Sequence, residues 1–168
     1  MTAPPEGSIA VVIPCYNSGA TLTETVASVL ALAYVMNLSG QTITIGTWIA
    51  GTGAAFAFLS PILGWLGTAV TGSDTSSNAL FGALQVSAAQ KADLSPMLMA
   101  AANSSGGVLG KMISPQNLAI GAAAVGMAGD EGDLFRRVVK WSLILLAAMV
   151  VIVYLQSTSV LSWMVVGS

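Results

Sequence analysis

The run TGSDTSSN at residues 71–78 returns in altered form as ANSSGGVLGKMISPQN at residues 102–117. Each is a Gly- and Ser-rich polar stretch set between apolar segments long enough to cross much of a bilayer. In hydrocarbon an unsatisfied polar group costs several kcal/mol, so polar runs placed there mark a pathway rather than a defect. The reading that follows is of helices interrupted around a solute site. Ordinary solvent loops are the other reading, and they leave the lone Asp74 of one run and the lone Lys111 of the other without a purpose.

Working outward, the 168 residues are 55% hydrophobic and 7% charged, against about a quarter charged in soluble domains. A soluble core of this length needs far more polar surface to cover it, so the composition predicts a membrane protein. A net charge of −2 excludes the basic face that nucleic-acid binding requires. The chain has no histidine, which removes the commonest general base. A single cysteine, Cys15, forms no internal disulfide, and no Cys/His cluster offers to hold zinc; neither cofactor nor metal is expected. The opening MTAPPEGS lacks the basic region and apolar core of a secretory signal.

The first 30 residues differ from the rest. Ile9–Ile13 is a short β-branched run closed by Pro14 and reads as a buried strand. After a turn at Asn17–Gly19, Thr21 and Glu24 have capping-box spacing, which opens a helix through Leu30. Residues 26–38, VASVLALAYVMNL, then fall short of the roughly 20 apolar residues a span needs. The junction between the two textures is placed at Leu30 to Ala33.

Thr42–Val70 is a long apolar stretch in which Gly51-Thr52-Gly53 and Ser60-Pro61 predict breaks or kinks and two helical pieces. Trp48 and Trp65 suit either a membrane interface or simple packing. Small residues in Ala79–Val86 predict close helix packing, and Lys91 with Asp93 marks a solvated turn. Leu94–Ala102 restarts a helix with Pro96 in its first turn and is expected to stop at Asn103. Leu118–Ala128 is again small and apolar. Asp130, Glu131 and Asp133 predict a helix start, and Val138–Leu155 is the cleanest spanning helix. Its basic approach, Arg136, Arg137 and Lys140, predicts a cytoplasmic end there and an outward C-terminus. Residues 160–166 are too short to cross back.

Both polar runs carry the donors and acceptors with which interrupted helices hold an anionic solute near the midplane. The candidates are Ser73, Asp74, Thr75, Ser76, Ser77 and Asn78 in the first, and Asn103, Ser104, Ser105, Ser114, Gln116 and Asn117 in the second. Gly106, Gly107 and Gly110 permit the tight backbone of an unwound segment. Asp74 reads either as a proton-coupling carboxylate or as a plain N-cap for the helix that follows. Lys111 reads either as the positive partner of a small carboxylate or as a side chain snorkelling to an interface. GGVLGK lacks the spacing and the final hydroxyl of a nucleotide-binding loop, which excludes ATP there.

Two resemblances bear on function. SIAVVIPCYNSGATLTETVASVL, residues 8–30, resembles the first strand and helix of family 2 glycosyltransferases, but no acidic metal motif or further alternating strands follow. AYVMNLSGQTITIG (33–46), FLSPILGWLGTAVTGSDTSSNALFGALQ (58–85) and AANSSGGVLGKMISPQNLAIGAAAVGMAGDEGDLFRRVVKWSLIL (101–145) resemble the C-terminal part of the L-lactate permease family. That second resemblance covers residues 31–168. It implies an all-α polytopic bundle in a bacterial inner membrane and a proton symporter for L-lactate, D-lactate or glycolate, not an enzyme. It places the solute and proton at the two polar runs, with membrane lipid around them. Members of that family are several times longer, so upstream helices are expected as partners, and the chain alone is expected to be poorly active. A glycosyltransferase fragment with a membrane tail and a chimeric reading frame are the alternatives.

Overall fold

The computed structural model describes residues 31, 34–36 and 38–165, and every regular element among them is helical. The strand and helix expected within residues 1–30 lie outside these residues. Among the described residues, 31, 34–36 and 38 are helical, and six further α-helices follow: α1 (Gln41–Ala50), α2 (Phe56–Thr71), α3 (Asp74–Lys91), α4 (Pro96–Lys111), α5 (Pro115–Ala124) and α6 (Glu131–Ser157). Short 3-10 turns at Gly53–Ala55 and Ser162–Met164 precede α2 and follow α6.

Three of these helices start in the same way. Ser73 Oγ accepts the Ser76 N–H at 3.3 Å, Ser95 Oγ that of Leu98 at 3.3 Å, and Ser114 Oγ that of Asn117 at 3.4 Å. Each bond satisfies one of the free donors at a helix start, a contribution of about 1 kcal/mol. Pro96 and Pro115 follow their caps in the first turn, where the missing N–H costs nothing.

The apolar stretch 42–70 does divide into two helical pieces, but at only one of the two expected places. Gly51 closes α1 and Gly53, at φ 56°, turns the chain toward α2. Pro61, by contrast, lies inside α2, which runs through it without a break. Packing explains the difference: Ser60 and Pro61 are fully buried, and Ser60 Oγ donates to the Met99 carbonyl of α4 at 3.0 Å. Asn103 does not end its helix either. α4 continues to Lys111 through Asn103-Ser104-Ser105-Gly106-Gly107, so the expected unwinding of that run is corrected to an uninterrupted helix. The interruption comes later, between Lys111 and Pro115.

The expected turn after α3 and the expected start of α6 are found. α3 ends at Lys91, and Asp93 turns the chain at φ 53° in an exposed corner. α6 begins at Glu131 with Glu131 and Asp133 in its first turn, and the stretch after it makes only a single 3-10 turn.

Side chains that bridge the helices fix their directions. Ser77 Oγ reaches the Gly64 carbonyl and Gln85 the Ser60 carbonyl, so α3 runs back along α2. Met99 beside Ser60 and Asn103 beside Gly64 make α4 parallel to α2. The return strut is α6, whose Ser142 accepts the Trp65 indole N–H at 2.9 Å and whose Tyr154 stacks on Phe58 at 4.2 Å between ring centroids. Trp65 is therefore a packing residue, whereas Trp48 faces outward. Phe56, Ala57, Ala88, Ala89, Leu98, Met99, Ala102 and Val153 form the apolar core at the end of the bundle away from the Thr71–Asn78 turn.

Glycines set how closely α2 and α4 approach. A Cβ at Gly64 would overlap the Asn103 carbonyl, one at Gly106 the Pro61 carbonyl, and one at Gly110 the Trp65 carbonyl. Backbone therefore lies on backbone along the whole contact, the geometry that small residues permit between membrane helices. Two stretches, Gly53–Thr71 and Glu131–Ser157, are long and apolar enough to span a bilayer. Only 17% of the most apolar window of the second is buried, so Trp141, Leu143, Ile144, Leu145 and Val151 present an outward apolar face.

Candidate functional site

On α3, Asp74, Asn78 and Gln85 fall at i, i+4 and i+11, which is one helical face. That face meets Ser60, Gly64 and Thr68 of α2 and Asn103, Ser104 and Gly107 of α4. A polar seam results, enclosed by three helices. Gln85 and Asn103 are 0% exposed within it.

The bonds along the seam form a continuous path. Gln85 Nε2 donates to the Ser60 carbonyl at 3.1 Å and to Asn103 Oδ1 at 3.0 Å. Asn103 Nδ2 donates to Asn78 Oδ1 at 2.7 Å, and Asn78 Nδ2 donates to Asp74 Oδ2 at 3.1 Å. Ser104 Oγ braces Asn78 from the side: it donates to Oδ1 at 3.1 Å and lies 2.9 Å from Nδ2. Buried amides without partners cost about 1–3 kcal/mol each, so the path is what makes a polar seam tolerable between these helices.

Three atoms are left over. Thr68 Oγ1, Asp74 Oδ1 and Gln85 Oε1 are buried and have no hydrogen-bond partner among the described residues. The first two crowd one spot: a Cβ built on Gly107 would overlap Asp74 Oδ1 and stand 2.7 Å from Thr68 Oγ1. Gly107 is thus the notch into which the carboxylate fits. Asp74 is also the first residue of α3, with Ser73 as its cap, so the cap reading belongs to Ser73 and Asp74 faces the seam.

The remaining candidates are distributed around this centre. Thr75 is exposed, Ser76 supplies its N–H to the cap, and buried Ser77 donates to the Gly64 carbonyl at 3.4 Å. Ser105 looks away, into a cavity of about 360 Å³ lined by α4, α6, Met164 and Val165. Lys111 is exposed in the last turn of α4, and its carbonyl accepts the Ser114 hydroxyl at 3.0 Å. Asn117 gives its N–H to the Ser114 cap. Gln116 joins the two runs, because its Oε1 lies 2.7 Å from the position of a Cβ on Gly72, in the turn between α2 and α3. The structure therefore unites Asp74, Asn78, Asn103 and Ser104, and it adds Gln85, Ser60, Thr68 and Gly107. The helical spacing of Asp74, Asn78 and Gln85 carried the signal for Gln85.

Comparison with known proteins gives the seam its context. The model of the L-lactate permease family matches residues 15–160, a range that takes in the second half of the stretch resembling a glycosyltransferase. An L-lactate permease of Bacillus subtilis is 55% identical over 141 residues, which are 84% of this chain and 25% of that protein. One from Escherichia coli is 54% identical over 153 residues, covering 88% of this chain and 28% of that protein. A glycolate permease of Escherichia coli is 56% identical over 129 residues, covering 77% and 23%. The chain thus spans about a quarter of the length of the curated relatives it matches. No solved structure matches it.

Proposed function

Since the chain belongs to the L-lactate permease family, we propose that it forms part of a secondary transporter for proton-coupled uptake of L-lactate and related 2-hydroxymonocarboxylates, D-lactate and glycolate among them. The transporter works in the bacterial plasma membrane as a multi-pass protein, and helices beyond this chain complete its bundle. A relative acting on glycolate supports the wider substrate class.

The observation that carries the reading is Asp74: a carboxylate with one oxygen held by Asn78 and the other buried and unpartnered beside Thr68 and Gly107. Ionisable groups inside membrane proteins are costly and serve ion or proton pathways. Asp74 takes the proton, while the hydroxyls and amides of the two runs, with the converging starts of α3 and α5, receive the solute carboxylate. Lys111, exposed at the end of α4, attracts the anion toward that end of the bundle. In this reading residues 31–168 are the transport segment and residues 1–30 a strand–helix fragment resembling a family 2 glycosyltransferase, into which the family match, beginning at residue 15, extends.

The test is a chimera. Residues 31–160 replace the matching segment of the Bacillus subtilis L-lactate permease in cells that lack lactate uptake. The expected result is saturable, pH-driven uptake of L-lactate and glycolate. A chimera that reaches the membrane but moves neither acid contradicts the proposal.

A further inference from the structure

The seam has a direction. An amide offers an oxygen and a nitrogen of the same shape, so its orientation is set by what it bonds. An ionised carboxylate only accepts, which forces Asn78 to turn Nδ2 toward Asp74 and Oδ1 toward Asn103. Asn103 must then present Oδ1 to Gln85, and Gln85 must present Nε2. All three amides therefore point their donors toward Asp74. At the far end the same Nε2 is shared with the Ser60 carbonyl, just before Pro61 in α2, and Oε1 is left buried without a donor. The two ends lie about 16 Å apart along α3 at 1.5 Å per residue.

We propose that Asn78, Asn103 and Gln85 are a reversible amide relay that carries the protonation state of Asp74 to the Ser60–Pro61 segment of α2. Gln85 is the positioning residue at its inner end. When Asp74 gains a proton, its O–H donates to an amide oxygen, and Asn78 turns over to meet it. Asn103 and Gln85 follow, because two donors or two acceptors cannot face each other. In the reversed order Gln85 Oε1 accepts from Asn103, and Nε2 leaves the Ser60 carbonyl and takes the place of the orphaned oxygen. The α3–α4 bond between Gln85 and Asn103 thereby reverses its polarity, and the bond from Gln85 to α2 is released. A bistable element of this kind is what couples a local charge change to helix movement.

Among the described residues no other ionisable group is bonded into the seam. α1, α2 and α5 carry none, α4 carries only Lys111 in its exposed last turn, on α3 the one other is Lys91, which is exposed and bonded to Thr47, and on α6 Glu131, Asp133, Arg136, Arg137, Lys140 and Tyr154 make no hydrogen bond to a seam residue. The relay rests on the Asp74 reading above, but its bonding order can be read without any transport.

The experiment uses the whole chain, labelled with ¹⁵N on Asn and Gln side chains, in lipid nanodiscs. Side-chain amide resonances of Asn78, Asn103 and Gln85 are followed through a pH titration of the wild type and in Asp74→Asn. In the wild type the three are expected to move together with one midpoint, and in Asp74→Asn to stay still. Gln85→Met, which removes both amide atoms, should shift Asn78 although the two residues do not touch. If Asn78 responds to pH alone, or none of the three responds, the relay is overturned. Failure of the chimera to transport, with the concerted shift intact, would count against the transport reading instead.

Discussion

The two polar runs have nearly the same composition and opposite local structures. Thr71–Asn78 contains a chain reversal: Gly72 takes φ 71°, Ser73 caps, and the polar side chains occupy the first turn of α3. Asn103–Gly107 sits in the middle of α4, where every backbone group already has a helical partner. At a helix start, hydroxyls serve the chain's own free N–H groups. Inside a helix they have no such task, so Asn103 and Ser104 bond across to α3 while Gly106 and Gly107 let α2 and Asp74 close in. Residues that look like a hinge in one place are a docking face in the other.

The contrast can be broken most severely at Gly106. Its added methyl would strike the Pro61 backbone, which cannot yield as a side-chain tip can, so Gly106→Ala is expected to destabilise the bundle by about 3 kcal/mol. Gly82, with nothing within 4 Å of its Cβ position, provides the control: Gly82→Ala in the interior of α3 should stabilise by up to about 1 kcal/mol. Thermal melts in nanodiscs compare the two, and equal effects would mean that α2 and α4 are not in backbone contact. Next in size, Asn103→Ala removes two buried bonds, leaving Gln85 Nε2 with Ser60 alone and Asn78 Oδ1 with Ser104 alone, and should cost about 1–3 kcal/mol with the helix content of α4 unchanged. Smallest is Ser73→Ala, about 1 kcal/mol from the lost cap, seen as early exchange of the Ser76 amide.

Much of the fold is legible in the sequence because its signals are local. Ser-Pro marks the starts of α4 and α5, the acids at 131 and 133 open α6, and Gly51-Thr52-Gly53 separates α1 from α2. The errors share one cause. Ser60-Pro61 looks like a break or kink and Asn103 like a stop, and tertiary partners keep both helices continuous: Met99 for Ser60, Gln85 and Asn78 for Asn103. The site divides in the same way. Asp74 and Asn78 stand out as polar residues in apolar surroundings, whereas Thr68 is hidden in an apolar stretch and Gly107 acts by having no side chain, so only the approach of α4 to α2 discloses them.

The proposed transport turns on Asp74 as the carrier of the coupling proton. The direct measurement compares two modes of L-lactate movement in the Bacillus subtilis chimera carrying Asp74→Asn. One is accumulation driven by a proton gradient; the other is exchange of labelled for unlabelled L-lactate with no gradient. Accumulation is expected to fall by at least about tenfold, on the order of 1.4 kcal/mol of lost driving interaction, while exchange persists. Accumulation at the unsubstituted level would contradict it.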